Sequence, residues 1–313
     1  MQHTLAAFHF KQKTTRTKKF LTEIEAAIPW AAFLKYLKQW KTLETGRKGY
    51  AAETMFRMWL LQNFYGLSDE QTEDELYDKL SFQEFLKIDL GQSIPDATTL
   101  CRFREWLNEN KIQEKLFKKL NKLLEKKELI LKKGTIEDAT IIEAPKNKSN
   151  SKKKWLDEDA SSTKKNNRWY RGYKLNTGVD AGSNIIRKAI ISTAKKSDSD
   201  YFDDLLSGDE GAVFTDKGYY SQERKRRLRK QGIFCGILDK ASAKHKLSSS
   251  QQKRNRKLSS VRAFGEHQFN IIKNRFHCKK VRYVGLIKNT AHLLGLCFLH
   301  NLTIKRKQLA LAG

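Results

Sequence analysis

The stretch Thr135-Ile136-Glu137-Asp138-Ala139-Thr140-Ile141-Ile142-Glu143 marks the point at which the texture of the chain changes. It follows a glycine and is rich in β-branched residues, a composition that predicts a β-strand. Before it, apolar side chains recur every three or four residues, which predicts helices. The sequence therefore predicts an all-helical N-terminal domain at residues 1–133 and a second domain at residues 134–313 that begins with a strand.

Strand-like and helical segments alternate in the second domain. Further strands are predicted at 168–179, 185–192, 211–215 and 232–238. Helices are predicted at 200–206, 221–230, 261–276 and 288–302, and polar loops at 146–167 and 241–260. The first three strands should form an antiparallel meander, and the later ones return through helices and should pair in parallel. This order predicts an α/β (α+β) protein with a mixed five-stranded sheet of the ribonuclease-H-like fold.

The charge of the chain indicates its kind of partner. Lys and Arg number 62 against 35 Asp and Glu, so the net charge is +27, and the cations are spread along the whole length. Such a surface favours a polyanion, which predicts nucleic-acid binding. The alternative is a ribosome-associated or merely basic protein.

The cysteines and the hydropathy predict the compartment. Four cysteines at long intervals lack metal-ligand spacing and are interpreted as reduced, buried thiols of an intracellular protein. No run approaches the roughly 20 apolar residues of a membrane span, and no secretory signal is evident. A cytoplasmic protein without a membrane partner is predicted.

Three acidic residues form the candidate catalytic site. Asp138 and Asp216 each lie at the end of a short apolar strand-like run, and Glu266 lies on a basic helix. In the predicted fold the first and fourth strands are neighbours, so Asp138 and Asp216 could bridge one metal while Glu266 reaches a second. Carboxylates suit Mg²⁺ or Mn²⁺, and two such ions can activate a nucleophile and stabilise a leaving oxygen in phosphodiester chemistry.

Cations flank Glu266 on its helix. Arg262, Glu266, Phe269 and Lys273 are spaced four, three and four residues apart, which predicts one helical stripe. Arg262 and Lys273 would then hold substrate phosphates beside the metal. An ordinary surface Arg–Glu pair is an equally good interpretation of this segment alone. A lone aspartate at a strand end is likewise more often a cap or turn residue.

Other cations are candidate DNA contacts. A basic N-terminal arm carries Lys11, Lys13, Arg16, Lys18 and Lys19. A possible helix-turn-helix at 80–107 presents Arg102 and Arg104, the basic helix at 221–230 carries Arg224 and Arg227, and Lys217 adjoins Asp216. The alternatives are a solvated tail and ordinary surface arginines. Trp169 and Tyr170 are expected in the core, although a splayed base could stack on one of them. Asp180 is a candidate supporting acid near the site.

Blocks of sequence along nearly the whole chain carry a resemblance. They are Thr17-Lys18-Lys19-Phe20-Leu21 with Ile28-Pro29-Trp30, Ile94-Pro95-Asp96-Ala97-Thr98-Thr99 with Arg102-Phe103-Arg104, Asp138-Ala139-Thr140, Gly172-Tyr173-Lys174-Leu175, Asp216-Lys217-Gly218-Tyr219, Arg262-x3-Glu266-x6-Lys273, Arg282-Tyr283 and Asn301-Leu302. Together and in this order they resemble the insertion-sequence-five family of bacterial DDE transposases. One departure is visible, because Ser259 stands where the family signature has a tyrosine.

The resemblance implies a function. A protein of this family would bind the terminal inverted repeats of its element as double-stranded DNA, cleave there to expose 3′-hydroxyls and join them to target DNA. It would work in a homodimer or larger assembly, associated with the bacterial nucleoid. Two alternatives stay open: a catalytically inactive repressor derived from a transposase, and a Mg²⁺-dependent endonuclease that cuts without joining.

Overall fold

A computed structural model describes residues 14–40, 49–89, 91–145, 157–242 and 245–311. The chain divides into two compact units, one made of residues 1–112 with 302–313 and the other of residues 113–301. The sequence predicts a domain boundary after residue 133, where helices give way to strands. As a boundary between functional domains it stays a prediction. No helix in the described part of the chain is both long enough and apolar enough to cross a membrane.

The first unit is helical, as predicted. Its helices are α1 Arg16–Ala27, α2 Trp30–Leu34, α3 Ala52–Tyr65, α4 Asp69–Asp78, α5 Leu80–Leu86 and α6 Ala97–Glu109. Helix α3 is central, because ten consecutive residues from Met55 to Phe64 are buried and it contacts α4, α5 and α6. A helix that is apolar on nearly every side must be surrounded by other elements.

A buried arginine on α3 ties the first unit together. The guanidinium of Arg57 is 1% exposed and donates to Glu25 (2.8 Å), Glu53 (2.7 Å) and the carbonyl oxygen of Phe85 (2.8 Å). It also lies 3.7 Å from the ring centroid of Trp30. Burial of a charge is costly unless it is paired, and these contacts on three other segments satisfy that requirement.

The second unit contains the sheet. Its elements are α7 Ile112–Lys126, β1 Thr135–Glu143, β2 Ser161–Lys165, β3 Arg168–Asp180, β4 Ile186–Thr193, α8 Phe202–Leu205, β5 Ala212–Thr215, α9 Gln222–Lys230, β6 Phe234–Ile237, α10 Ser249–Ala263, α11 His267–Asn270 and α12 Leu286–Leu311. Two of these cross the division between units: α7 begins at Ile112 in the first, and α12 continues into it from Leu302.

The sheet has the predicted connectivity and one additional strand. Strand β1 is central, antiparallel to β3 and parallel to β5, while β3 pairs with β4 and β5 pairs in parallel with β6. The predicted meander and the predicted adjacency of the Asp138 and Asp216 strands are confirmed. The predicted count of five strands is wrong, because β2 makes a sixth by pairing with β3.

Two segments predicted as loops contain regular structure. Strand β2 lies within the predicted loop 146–167, of which residues 146–156 fall outside the described residues. Helix α10 occupies most of the predicted loop 241–260, and Ser248 with Gln251 forms a capping box at its start. Leu258 is the one buried residue of α10. The helix therefore has almost no apolar stripe by which the sequence could predict it.

The two faces of β1 are covered differently. Val213, beside Thr135 in the sheet, belongs to a buried cluster with Phe202, Tyr219 and Leu228 from the α8 and α9 side. On the other face Ile136 contacts the segment that follows α10, and a Cβ added to Gly265 would lie 2.5 Å from the Ile136 Cγ2 atom. This close approach places residue 266 beside the centre of the sheet.

Candidate active site

Asp138 lies in the middle of β1 and not at its end as predicted, because the strand continues to Glu143. It is opposite Thr177 of β3, and its side chain is 21% exposed. Its Oδ1 accepts a hydrogen bond from the backbone N–H of Ala139 (2.8 Å), and its Oδ2 lies 3.6 Å from the Arg262 guanidinium. Burial raises the pKa of Asp138 to about 6, and the charge of Asp216 adds to the rise, while the Ala139 N–H and Arg262 oppose it. A cation held near this carboxyl would favour its ionised form.

The residue before it, Glu137, points to the opposite face of the strand, as the two-residue period of a strand requires. Glu137 is fully buried, and neither carboxylate oxygen finds a hydrogen-bond partner within the described residues. Burial raises the pKa of Glu137 well above its ordinary value. Two adjacent carboxyls therefore differ in their surroundings, since Asp138 lines an open cleft and Glu137 faces the core.

Asp216 follows β5 directly. Its Oδ1 accepts the backbone N–H of Gly218 (2.6 Å) at the start of a 3₁₀ turn, Lys217–Tyr219. Thr135 pairs with Val213 and Ile136 with Phe214, so the same register carried two residues further sets Asp138 level with Asp216. Neighbouring strands lie about 4.8 Å apart, which explains why the charge of Asp216 is felt at Asp138.

Glu266 ends a 3₁₀ turn, Phe264–Glu266, that interrupts the helical segment after α10, and its side chain is exposed. Asp138 and Glu266 line one open cleft of about 550 Å³. Three lysines and a tyrosine also line this cleft: Lys165, Lys273, Lys279 and Tyr170. The helix around Glu266 changes its winding, with a π turn at Ile271–Arg275, yet Glu266, Phe269 and Lys273 still face the same cleft.

Only two of the three predicted acids line the cleft. Asp138 and Glu266 share the cleft and Asp216 acts electrostatically on Asp138, but Asp216 is not among the residues that line the cleft. Within the described ranges, no group of three or more His, Cys, Asp or Glu side chains converges closely enough to hold a metal ion. The chemistry of the donor set suits Mg²⁺, which prefers carboxylate oxygens and retains several waters. The three carboxylates are therefore ligands of the kind that Mg²⁺ prefers. That they bind one ion together stays a prediction.

The cations predicted beside the acids lie in this region. Arg262 reaches Asp138, and Lys273 is half-buried in the cleft. Burial lowers the pKa of Lys273, and the charge of Lys165 lowers it further. Lys217 is exposed on the turn that Asp216 caps. Sequence reasoning missed Lys165 and Lys279, because one lies on an unrecognised strand and the other follows the irregular helical segment.

Several other predicted DNA contacts have structural partners. Arg224 donates to the carbonyl oxygens of Tyr219 (2.7 Å) and Ser199 (3.0 Å), and Arg227 pairs with Asp203. Lys225, which follows Arg224 on α9, is buried and pairs with Asp239, so this cation is not presented to solvent. These contacts hold α9 to its own unit.

The predicted DNA contacts of the N-terminal unit include both paired and exposed cations. Arg104 is largely buried and pairs with Asp69 (2.8 Å), and Lys18 pairs with Glu84 (2.8 Å). Arg16, Lys19 and Arg102 are exposed on α1 and α6. Residues 16–19 begin a helix capped by Thr15 and so are not part of an extended arm, while Lys11 and Lys13 lie outside the described residues.

Two further expectations are corrected. Trp169, expected in the core, is 69% exposed, and Tyr170 is half-buried and lines the cleft. Asp180 is buried where β3 ends, and its Oδ2 accepts the N–H groups of Leu131 (3.1 Å) and Ser183 (2.9 Å). These bonds assign Asp180 to the β3–β4 turn rather than to the site.

A mixed sheet in this order, with an aspartate on the central strand and another after its parallel neighbour, defines a ribonuclease-H-like protein. Comparison with family models identifies the group within that class. Residues 131–302 match the transposase DDE domain, and residues 8–106 match a second model described as a transposase domain. The chain belongs to the DDE transposases of bacterial insertion sequences. No solved structure matches it.

Membership in this family establishes the broad function. The chain is a transposase, of a family that acts on DNA and generally uses divalent metal ions. The resemblance stated from the sequence blocks is thereby confirmed.

Proposed function

We propose that this transposase binds the terminal inverted repeats of its element, cleaves DNA there to free 3′-hydroxyls, and joins those hydroxyls to target DNA. The observation that carries the proposal is the shared cleft of Asp138 and Glu266, with Asp216 at the end of the neighbouring strand β5 and its charge acting on Asp138. Acids so placed in a chain of net charge +27 suit a metal-assisted reaction on a polyanion.

In this proposal Asp138, Asp216 and Glu266 hold two Mg²⁺ or Mn²⁺ ions. When bound, the ions would activate the attacking water or hydroxyl and stabilise the leaving 3′-oxygen. Gly265 fixes the distance between Glu266 and β1, because its missing side chain lets the backbone approach Ile136. Lys273 in the cleft and Arg262 beside Asp138 would present positive charge to a phosphate.

End recognition is proposed to use exposed cations of the helical unit, Arg16, Lys19 and Arg102. Lys217 is a further proposed phosphate contact beside Asp216. A homodimer or larger assembly would hold both element ends, as a reaction that joins two ends to one target requires. Light scattering of the protein with end DNA would test this, and a mass equal to one chain with one DNA end would contradict it.

The catalytic assignment is tested with purified protein, Mg²⁺ and labelled DNA that carries the ends of the element. Strand joining is expected from the unsubstituted protein, and Asp138→Asn, Asp216→Asn and Glu266→Gln should each abolish it while end binding persists. Glu143→Gln is the matched control, because Glu143 lines the same cleft and is not assigned to the metal. Cleavage without joining would favour an endonuclease. A gel shift without cleavage would favour a repressor.

A further inference from the structure

The β2–β3 hairpin, residues 161–172, is a defined projection and not a loose loop. Its five residue pairs run from Ser161–Gly172 to Lys165–Arg168, and the turn residues Asn166 and Asn167 have φ values of 49° and 61°. Two consecutive residues with positive φ make the turn that best matches the twist of a hairpin. Cross-strand pairing therefore determines which side chains share a face.

Gly172 is where β3 changes partners. Residues 172–180 of β3 pair with β1, and residues 168–172 pair with β2. A Cβ at Gly172, whose φ is 155°, would lie 2.2 Å from the Ile142 carbonyl oxygen. The hairpin is thus a direct extension of the strand that pairs with Asp138, which links its position to the catalytic strand.

The two faces of the hairpin have different surroundings. Side chains two apart, or directly paired, lie on the same face. One face therefore carries Thr163, Lys165, Arg168 and Tyr170, and the other carries Ser162, Lys164, Trp169 and Arg171. Lys165 and Tyr170 both line the cleft that contains Asp138 and Glu266, whereas Lys164 and Trp169 do not. The first set is called the cleft face below, and the second the outer face.

The cleft face of the hairpin carries cations and no acid of its own. Residues 161–170 include no acid. The acids of the cleft, Asp138, Glu143 and Glu266, come from β1 and from the segment after α10. The Lys165 and Lys273 charges are near enough to repel across the cleft. Lysines beside the acids that would hold the metal favour a phosphate, and a phosphate is the anion that the proposed reaction brings to Asp138.

An aromatic ring adjoins these cations. The Arg168 guanidinium lies 5.3 Å from the ring centroid of Tyr170, which confirms that both side chains are on one face. A half-buried ring beside a cation-lined cleft can stack on a base or sugar of a strand whose phosphates are held next to it. The outer face also has an exposed ring, Trp169, but that ring does not line the cleft.

We propose that the cleft face of the β2–β3 hairpin grips the DNA strand that is to be cut, with Lys165 and Arg168 on phosphates and Tyr170 stacked on a base or sugar. These residues position the strand and do not take part in bond breaking. The inference rests on the proposed function, because the strand is assigned by its approach to Asp138. Lys164 and Trp169 on the outer face make no contact with that strand.

The test compares the two faces of the same hairpin. Lys165→Ala and Tyr170→Ala are compared with Lys164→Ala and Trp169→Ala for binding to element-end DNA in EDTA, where no cleavage occurs. Tyr170→Ala should weaken binding about tenfold, as loss of one stacked base does, and Tyr170→Phe should restore it. Lys165→Ala should lower the salt dependence by about one phosphate contact, a log–log slope change of about 0.9. The outer-face variants should match the unsubstituted protein.

Equal effects of the two faces, or no effect of either, would overturn the inference. Thermal unfolding of each variant identifies hairpin damage, which substitutions on both faces would share. Strand joining by the unsubstituted protein is measured in parallel. Joining without a difference between the faces overturns this inference alone. Absence of joining together with a clear cleft-face effect supports the grip and contradicts the proposed reaction.

Discussion

Replacing Asp138 with asparagine should stabilise the metal-free protein. Burial raises the pKa of Asp138 to about 6 from its ordinary 3.8, so keeping this carboxyl ionised in the folded state costs free energy. One pH unit is worth about 1.4 kcal/mol, and the full cost is about 3 kcal/mol. The cost is absent below pH 3.8, where the acid is protonated in both folded and unfolded chains, and is complete above pH 6. Asparagine keeps the shape of the protonated acid and avoids the cost.

Urea unfolding in EDTA measures the effect. The free energy of unfolding of Asp138→Asn minus that of the unsubstituted protein should grow by about 2 kcal/mol between about pH 4.5 and 7.5. Glu266→Gln is the control, because that side chain is exposed and its replacement should change stability by less than about 0.5 kcal/mol. Added Mg²⁺ should stabilise the unsubstituted protein and not Asp138→Asn. A difference between the two proteins that does not vary with pH would refute the reasoning.

Three further predictions concern packing and accessibility. Gly265→Ala should displace Glu266 from β1, because the new Cβ would lie 2.5 Å from the Ile136 Cγ2 atom; a loss of about 1–3 kcal/mol in stability together with lost cleavage is expected, and normal cleavage kinetics would contradict it. Arg57→Met should lower stability by about 3 kcal/mol, since it removes the charge that two carboxylates share; an unchanged melting temperature would contradict this. Cys101, which is partly exposed, should react with iodoacetamide in the native protein. Cys278 should react only after unfolding, since burial raises its thiol pKa to about 12; equal labelling of the two, followed by mass spectrometry, would refute the assignment.

The sheet was predictable because its strands carry a strong local signal. The run from Thr135 to Glu143 is β-branched and follows a glycine, and its observed bounds are those predicted. The order of strands and helices then restricts the topology, which is why the adjacency of β1 and β5 followed from the sequence. The positions of Asp138 and Asp216 depend only on these regular elements.

Other elements lacked that signal. Strand β2 reads Ser161-Ser162-Thr163-Lys164-Lys165 and is exposed along most of its length, so no apolar alternation marks it. The asparagine pair after it is a turn signal that could have identified the hairpin. Helix α10 has almost no buried face, and only the Ser248–Gln251 capping box announces its start.

The partners of individual arginines were not predictable. A cation on a helix reads the same in sequence whether it faces DNA or a carboxylate from another element. Arg104 meets Asp69 and Arg227 meets Asp203 across 35 and 24 residues of chain. These pairs depend on tertiary packing, which a spacing rule along one helix does not contain.

The opposite orientations of Glu137 and Asp138 restrict how the gene can vary. Because each side of a strand is set by counting residues in twos, deleting one residue between Gly134 and Asp138 would reverse the side on which every later position emerges. Asp138 would then face the buried side of the sheet, and Ala139 would take its position in the cleft. Point substitutions in this strand can be absorbed by repacking, but a single in-frame codon gained or lost there should inactivate the enzyme even if the chain still folds.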